Sequence, residues 1–274
     1  MRSDSVTIPV IRLQGVIGAG GSALRPSLSL ESTAGVIEKA FAFKDAPAVV
    51  VSINSPGGSP VQSRLIFKRL RDLADEKNKK LLVFVEDAAA SGGYMIAVAG
   101  DEIIADPSSI VGSIGVISGT FGFTDLIKKI GVERRVHTAG KNKSSMDPFK
   151  PEKKEDIARL EEIMTDMHAS FIDLVKSRRG AKLKDDPDLF TGLFWTGNKA
   201  LELGLIDRIG DMRSTLKKYY GEKTKLQLVS ARKGLLSRFG IGSSLGLSSE
   251  MLAAAAVETL DAADQRALWS RLGL

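Results

Sequence analysis

Two glycine-rich turns concentrate the residues that can do chemistry. The first reads Asn54-Ser55-Pro56-Gly57-Gly58 and the second Ala90-Ser91-Gly92-Gly93. Each follows an apolar run that reads as a buried parallel strand, residues 48–53 and 80–85. Gly58 and Ser91 stand 33 residues apart, one βαβ crossover, so the two strands are expected to be neighbours. Ligands of parallel α/β sheets bind beyond the carboxyl ends of the strands, where both turns fall. Ser91 sits where a strand turns into a helix, between small neighbours that expose its hydroxyl. The Gly92 N–H there points with the helix's free donors, and the helix start favours developing negative charge. Those are the needs of a nucleophile beside half an oxyanion hole. Gly57 and Gly58 can take positive φ and offer N–H groups for the other half, and Pro56 fixes φ just before them. One such turn alone reads as a plain turn or helix cap; two in register favour chemistry. Neither matches the phosphate-binding glycine patterns or a Gly-x-Ser-x-Gly elbow.

A serine hydroxyl needs a base. The chain has two histidines. His168 falls among Met164, Met167 and Phe171 on a helical stripe and reads as a packing or helix-surface residue. His137 ends a strand-like run and is the histidine candidate. Lys141 and Lys143, in the loop 139–145, are the alternative. A lysine serves as base when burial lowers its pKa from about 10.4 toward 7–8. Nothing local singles out either lysine.

The elements that must position these groups follow from periodicity. Strands are expected at residues 6–13, 48–53, 80–85, 102–105, 132–137 and 226–229. Helices are expected from Ser32 or Thr33 to Phe43, at 61–76 and 94–99, at 151–177, at 198–203 and within 206–220. Ile157, Leu160, Met164, Met167, Phe171 and Leu174 form the stripe of the long helix. Residues 14–30 read as a loop. Strand, glycine turn and helix recur in order, so a layered α/β core with a parallel sheet is expected over residues 1–229. Residues 230–274 shift to Ser, Gly, Leu and then Ala, and read as a partly helical appendage for subunit or membrane-surface contact.

Composition narrows the function. Cysteine is absent, which excludes disulfides, cysteine nucleophiles and thiolate metal sites within this chain. Lys+Arg of 39 against Asp+Glu of 33 gives a net charge of +6, too mixed along the chain to indicate a nucleic-acid partner. Aromatics are 6% and do not interleave with basic residues. No leader-like apolar region opens the chain, and no run reaches the ~18 apolar residues of a spanning helix. A cytoplasmic protein, or one peripheral to the inner membrane, is expected.

The motif series Ile53-Asn54-Ser55-Pro56-Gly57-Gly58, Ala90-Ser91-Gly92-Gly93-Tyr94, Ala105-Asp106-Pro107, Val111-Gly112-Ser113-Ile114-Gly115-Val116 and Gly140-Lys141-Asn142-Lys143-Ser144 resembles the signal peptide peptidase A family of serine proteases, the S49 peptidases. It covers about residues 6–225. The resemblance implies the layered fold shared with the Clp protease subunit and crotonase, and a Ser–Lys dyad. Ser91 matches the nucleophile and Lys143, 52 residues later, the general base. Lys141 is the lesser match. Ser113 matches a serine that orients the lysine, and Gly57, Gly58 and Gly92 match the oxyanion region. The resemblance further implies peptide hydrolysis without cofactor or metal, a rate rising with pH through a depressed lysine pKa, and a ring- or dome-shaped homo-oligomer. Cleaved signal peptides or membrane-derived peptides are the implied substrates. Members are often membrane-tethered, and no tether is read here. Asn54, Tyr94 and Met95 are taken as pocket residues for small or apolar side chains. Two alternatives stand beside this reading: a crotonase-like acyl-CoA enzyme with Glu86 or Asp87 as base, and a non-catalytic scaffold.

Overall fold

A computed structural model of the chain describes residues 5–18, 27–230 and 266–274. In chain order its elements are β1 (Thr7–Gln14), α1 (Leu30–Phe41), β2 (Ala48–Ser55), α2 (Pro60–Glu76), β3 (Lys80–Ala90), α3 (Gly92–Ala97), β4 (Glu102–Ala105), β5 (Ile110–Gly112), α4 (Thr124–Lys129), α5 (Lys154–Arg179), β6 (Phe194–Thr196), α6 (Gly197–Glu202), β7 (Arg208–Ile209), α7 (Met212–Tyr220) and β8 (Lys225–Leu228). The strands form one sheet in the order β6-β5-β3-β2-β1-β8, and β4 and β7 branch from β3. Every pairing is parallel except β5 with β6. The result is the expected mixed α/β fold, with a parallel sheet and helices packed on it.

Side chains alternate across the strands with period two, and this builds the layers. Ile11, Leu13, Val49, Val51, Ile53, Leu81, Val83 and Val85 face the larger core with the buried residues of α1, α2 and α3. Ile8, Val10, Ala48, Val50, Leu82 and Phe84 face the smaller one with Leu216 of α7. All eight residues of β2 are buried, as a strand covered on both faces should be.

β3 is longer than its apolar run suggests, and the extension positions the site. Its first half pairs with β4, Leu82–Glu102 to Val85–Ala105. Its second half pairs with β5, Ala88–Ile110 to Ala90–Gly112. Between them the register with β2 jumps from Ile53–Val85 to Ser55–Ala89. Polar side chains of β2 hold this bulge. Ser52 Oγ donates to Glu86 at 2.5 Å. Asn54 Nδ2 donates to Asp87 at 2.6 Å, while its Oδ1 accepts the Ala88 N–H at 3.2 Å. The strand therefore bends at Glu86–Asp87 and runs on to Ala90 instead of ending at Val85.

Other expectations are corrected. Residues 132–137 form no strand: they pair with none of the sheet's strands and lie in the exposed stretch between α4 and α5. α1 starts at a Ser29 cap, with Ser32 closing a capping box, and not at Ser32 or Thr33. The helix expected within 206–220 is present as α7, which starts at Met212 from an Asp211 side-chain cap. In α5 the stripe is buried only at Phe171; Met167 is 44% exposed. Of the appendage read at 230–274, residues 231–265 lie outside the described residues, and 266–270 are helical.

Candidate active site

Ser91 occupies the cap position of α3 without capping it. Its side chain makes no cap hydrogen bond. By contrast Ser29, Ser59, Thr196 and Asp211 each accept an N–H of the helix they begin. The Ser91 backbone stands at φ 51° and ψ −120°, a conformation that costs an L-residue about 1–3 kcal/mol. Its N–H donates to Gly112 at 2.8 Å and its carbonyl accepts the Met95 N–H at 3.0 Å. Backbone bonds thus hold the strained turn, and the hydroxyl is left uncommitted.

The first glycine turn lies against this serine. Gly57 has φ +108°, and a Cβ there would stand 2.8 Å from the Ser91 Cβ, so only glycine lets the two turns meet. At Gly58, φ is +138° and a Cβ would fall 2.0 Å from the Ile17 carbonyl oxygen. Ile17 N–H donates to Gly57 O at 2.8 Å, and Ser59 N–H donates to Ile17 O at 2.8 Å. Ile17 therefore brackets Gly58, whose own N–H points to the opposite side. A Cβ on Gly92 would lie 3.4 Å from the Gly58 nitrogen, so the Gly58 and Gly92 amides are neighbours. The Gly57 N–H is engaged otherwise, donating to Ser55 Oγ at 3.2 Å. Gly57 contributes close approach, and its amide is not among the free donors.

Ser113 is a second strained serine, at φ 53°. Its N–H donates to Leu193 O at 2.7 Å, and its carbonyl accepts the Gly115 N–H at 3.0 Å. Ser91 and Ser113 line one cavity of about 640 Å³, within the usual range of ligand pockets. Gly58, Pro60, Val116, Ile117, His168 and Phe194 also line it, as do Leu268, Arg271 and Leu272 of the C-terminal segment 266–274.

Lys143 and Lys141 do not join this group. Both are exposed, in the turn-rich stretch 139–146, and neither lines the cavity. The Lys143 N–H donates to Gly140 O at 3.2 Å. His137 is exposed and also absent from the cavity wall.

Three further residues find other roles. Tyr94 is a core residue and not a pocket residue: it is fully buried and donates its hydroxyl to Leu205 O at 2.8 Å. Burial pushes its phenol well above the usual tyrosine range. Asn54 is used up in the β3 bulge, as described above. Met95 lines a crevice of about 20 Å³ beside Ser91 and Phe171. Glu86 is taken by Ser52 and Arg12, Asp87 by Asn54, and neither lines the cavity. Among the described residues no group of three His, Asp or Glu is placed to hold a metal ion.

His168 is the cavity residue that sequence reasoning set aside as packing. Its position on the α5 stripe gave no separate signal; what distinguishes it is a 2.9 Å hydrogen bond from Nε2 to Ile114 O, a tertiary contact invisible to periodicity.

Comparison with known proteins bears on the family and the fold. A sequence profile described as "Peptidase family S49" matches residues 74–225. "Putative protease slr0021" of Synechocystis sp. (strain ATCC 27184 / PCC 6803 / Kazusa) is 32% identical over 235 residues, covering 84% of this chain and 82% of that protein. A longer protein of Brucella abortus (strain 2308), named "Na(+)/H(+) antiporter NhaA", is 62% identical over 277 residues. That match takes in 100% of this chain, which spans 38% of the relative's length. No helix among the described residues is long and apolar enough to cross a membrane, and the antiporter name stays with the longer protein. Among solved structures, two mutants of the "1510-N membrane-bound stomatin-specific protease" share the fold at 15% identity. A serine-to-alanine form has a TM-score of 0.51 and covers 83% of this chain and 99% of its own. A lysine-to-alanine form in complex with a substrate peptide has a TM-score of 0.50 and covers 92% and 98%.

Proposed function

The chain belongs to peptidase family S49, and from that membership we propose that it is a serine peptidase with Ser91 as nucleophile and Lys143 as general base. The lysine amine takes the proton from Ser91 Oγ as the oxygen attacks a peptide carbonyl. The Gly58 and Gly92 amides hold the oxyanion; each donor of this kind is worth about 2.7–4 kcal/mol at the transition state. The protonated lysine passes its proton to the leaving amine, and water activated by the same lysine then releases the acyl-enzyme. Ser113 orients the lysine. The observation that carries the reading is the Ser91 hydroxyl, uncommitted on a strained turn at the wall of a 640 Å³ cavity. The solved serine and lysine mutants of the fold neighbour support the same pair of residue types.

Lys143 must travel to complete this pair, since it stands exposed and a lysine becomes a base on burial. The stretch that carries it is built to be covered. Ile117, Phe121, Leu126, Ile130 and Val132 are 52–69% exposed, too much apolar surface for a free face. We propose that a homo-oligomer covers this arm and that the Lys143 amine enters the cavity on assembly. The apolar wall formed by Val116, Ile117 and Phe194 suits small or apolar side chains of peptides, cleaved signal peptides and membrane-derived peptides among them. A peripheral position at the inner membrane follows from such substrates.

The test is a fluorophosphonate probe followed by peptide mapping, alongside hydrolysis of a quenched apolar peptide. Ser91 is expected to carry the adduct, and Ser91→Ala to lose both adduct and hydrolysis. Full hydrolysis by Ser91→Ala overturns the reading. Glu86 and Asp87 are both bound away from the cavity, and acyl-CoA chemistry gains no support from them.

A further inference from the structure

The run 113–116 leaves the sheet and becomes the root of the arm that carries Lys143. Up to Gly112 it is held as a strand, with β3 on one side and β6 on the other. Ser113 keeps one bond, its N–H to Leu193 O. Past it the sheet offers no partner, and Gly115 N–H turns back on Ser113 O within the run itself. Among the described residues, the hydrogen bond that reaches this run from a helix is His168 Nε2 to Ile114 O at 2.9 Å. A carbonyl only accepts, so this nitrogen carries the proton and donates.

The ring has a firm mount. His168 lies on α5 one turn before Phe171, which is 3% exposed and begins the buried part of that helix, with Val175 and Arg179. Arg178 ties the same half of α5 to the carbonyls of Val98, Ala99 and Gly100, at 2.9, 3.3 and 3.1 Å. The opposite half, before His168, has no buried residue. His168 thus stands where the anchored part of α5 meets the cavity, and it lines that cavity with Ser91 and Ser113.

We infer that His168 is a positioning residue of this peptidase. By gripping the Ile114 carbonyl it fixes the aim of Ser113 and the direction in which the arm departs, and so the geometry in which Ser91, Ser113 and the Lys143 amine meet. It transfers no proton. The inference rests on the Ser91–Lys143 reading above and adds to it a residue in a different element. A misplacement of about 1 Å costs a reaction up to roughly 100-fold, so loss of the grip is felt in turnover more than in binding.

The full-length protein, as His168→Ala, His168→Leu and His168→Gln, tests it through kcat, KM, the rate of fluorophosphonate labelling and melting temperature. His168→Ala and His168→Leu are expected to lower kcat and labelling between about tenfold and 100-fold, with KM nearly unchanged and melting temperature kept. His168→Gln, whose amide still donates, is expected to recover most of the loss. Wild-type kcat in His168→Ala, a change in KM alone, a loss that follows melting temperature, or a loss that glutamine fails to repair overturns the inference. Ser91→Ala separates the two levels. If it is inactive while His168→Ala is fully active, the positioning role falls and the dyad stands; if it is itself active, both fall.

Discussion

The two halves of the proposed dyad sit in unlike surroundings. The nucleophile stands on the floor of the molecule, where β2 and β3 end. Every residue of β2 is buried there, and two glycines lie so close to their neighbours that a methyl group would collide. The base stands on the arm, where no residue from 115 to 150 is buried. The arm has small contacts of its own: Phe123 and Phe149 rings 5.5 Å apart, and Arg134 4.6 Å over Phe149. It has nothing like the floor's packing. A strained serine needs a rigid mount, because a conformation costing 1–3 kcal/mol persists only when its surroundings over-determine it. A lysine base needs burial, and its segment gains that burial only against something else. The contrast teaches that the floor is complete within the single chain, whereas the arm would be completed by the proposed assembly.

Changes to the two regions should therefore fail differently. Lys143→Ala is expected to lower hydrolysis by about 10²–10⁴-fold, the contribution of a general base, while melting temperature stays at the wild-type value. Mixing Lys143→Ala with Ser91→Ala protein before assembly tests whether neighbours share a site; regained hydrolysis in the mixture means that they do. A fall in melting temperature on Lys143→Ala would break the contrast.

Next in size is a change within the body that carries the floor. Burial works against the charged form of Asp207. Hydrogen bonds from Arg179, Lys182 and the Ile103 N–H nevertheless hold its carboxyl below the usual carboxylate range. Asp207→Asn leaves the buried Arg179 guanidinium unpaired and is expected to cost about 3–5 kcal/mol of stability. A carboxyl held low stabilises fully above its unfolded pKa of about 3.9, and that contribution is lost as pH falls through the folded value. Chemical denaturation of wild type between pH 6 and pH 3 should show the loss, and Asp207→Asn should flatten it.

How much of this was readable in the sequence divides along the same line. The floor was legible because glycine, proline and small residues admit few conformations, and β2 and β3 showed their apolar runs plainly. The extension of β3 was not, because Glu86 and Asp87 break the apolar pattern while Ser52 and Asn54, far off in sequence, satisfy them. Residues 132–137 read as a strand, yet a strand forms only where it pairs with another, and this run pairs with none. Tyr94 looked like a pocket wall beside Ser91, but its helix turns the ring inward to Leu205. Ser113 and Gly58 line the cavity with Ser91, Gly92 lies beside Gly58, and the spent amide of Gly57 became visible only with the Ser55 hydroxyl in place.

Smaller effects sharpen the comparison. Replacing Ile117 and Phe121 together by serine should weaken assembly at low protein concentration and lower hydrolysis about tenfold, roughly 1.4 kcal/mol, with melting temperature kept; sedimentation velocity reads the first. Unchanged assembly would show that the arm's apolar face is covered by something other than a second copy. Deleting residues 266–274, three of which line the cavity, should raise kcat/KM a few-fold by opening the cleft. A fall would assign this segment to the cavity's productive shape.

The most direct measurement is the rate of fluorophosphonate modification, with the modified residue found by mass spectrometry, in wild type and in Lys143→Ala. The expected result is a single adduct on Ser91, formed at least about 100-fold more slowly without the lysine. An adduct on another residue, or equal rates in the two proteins, contradicts a Ser91 activated by Lys143.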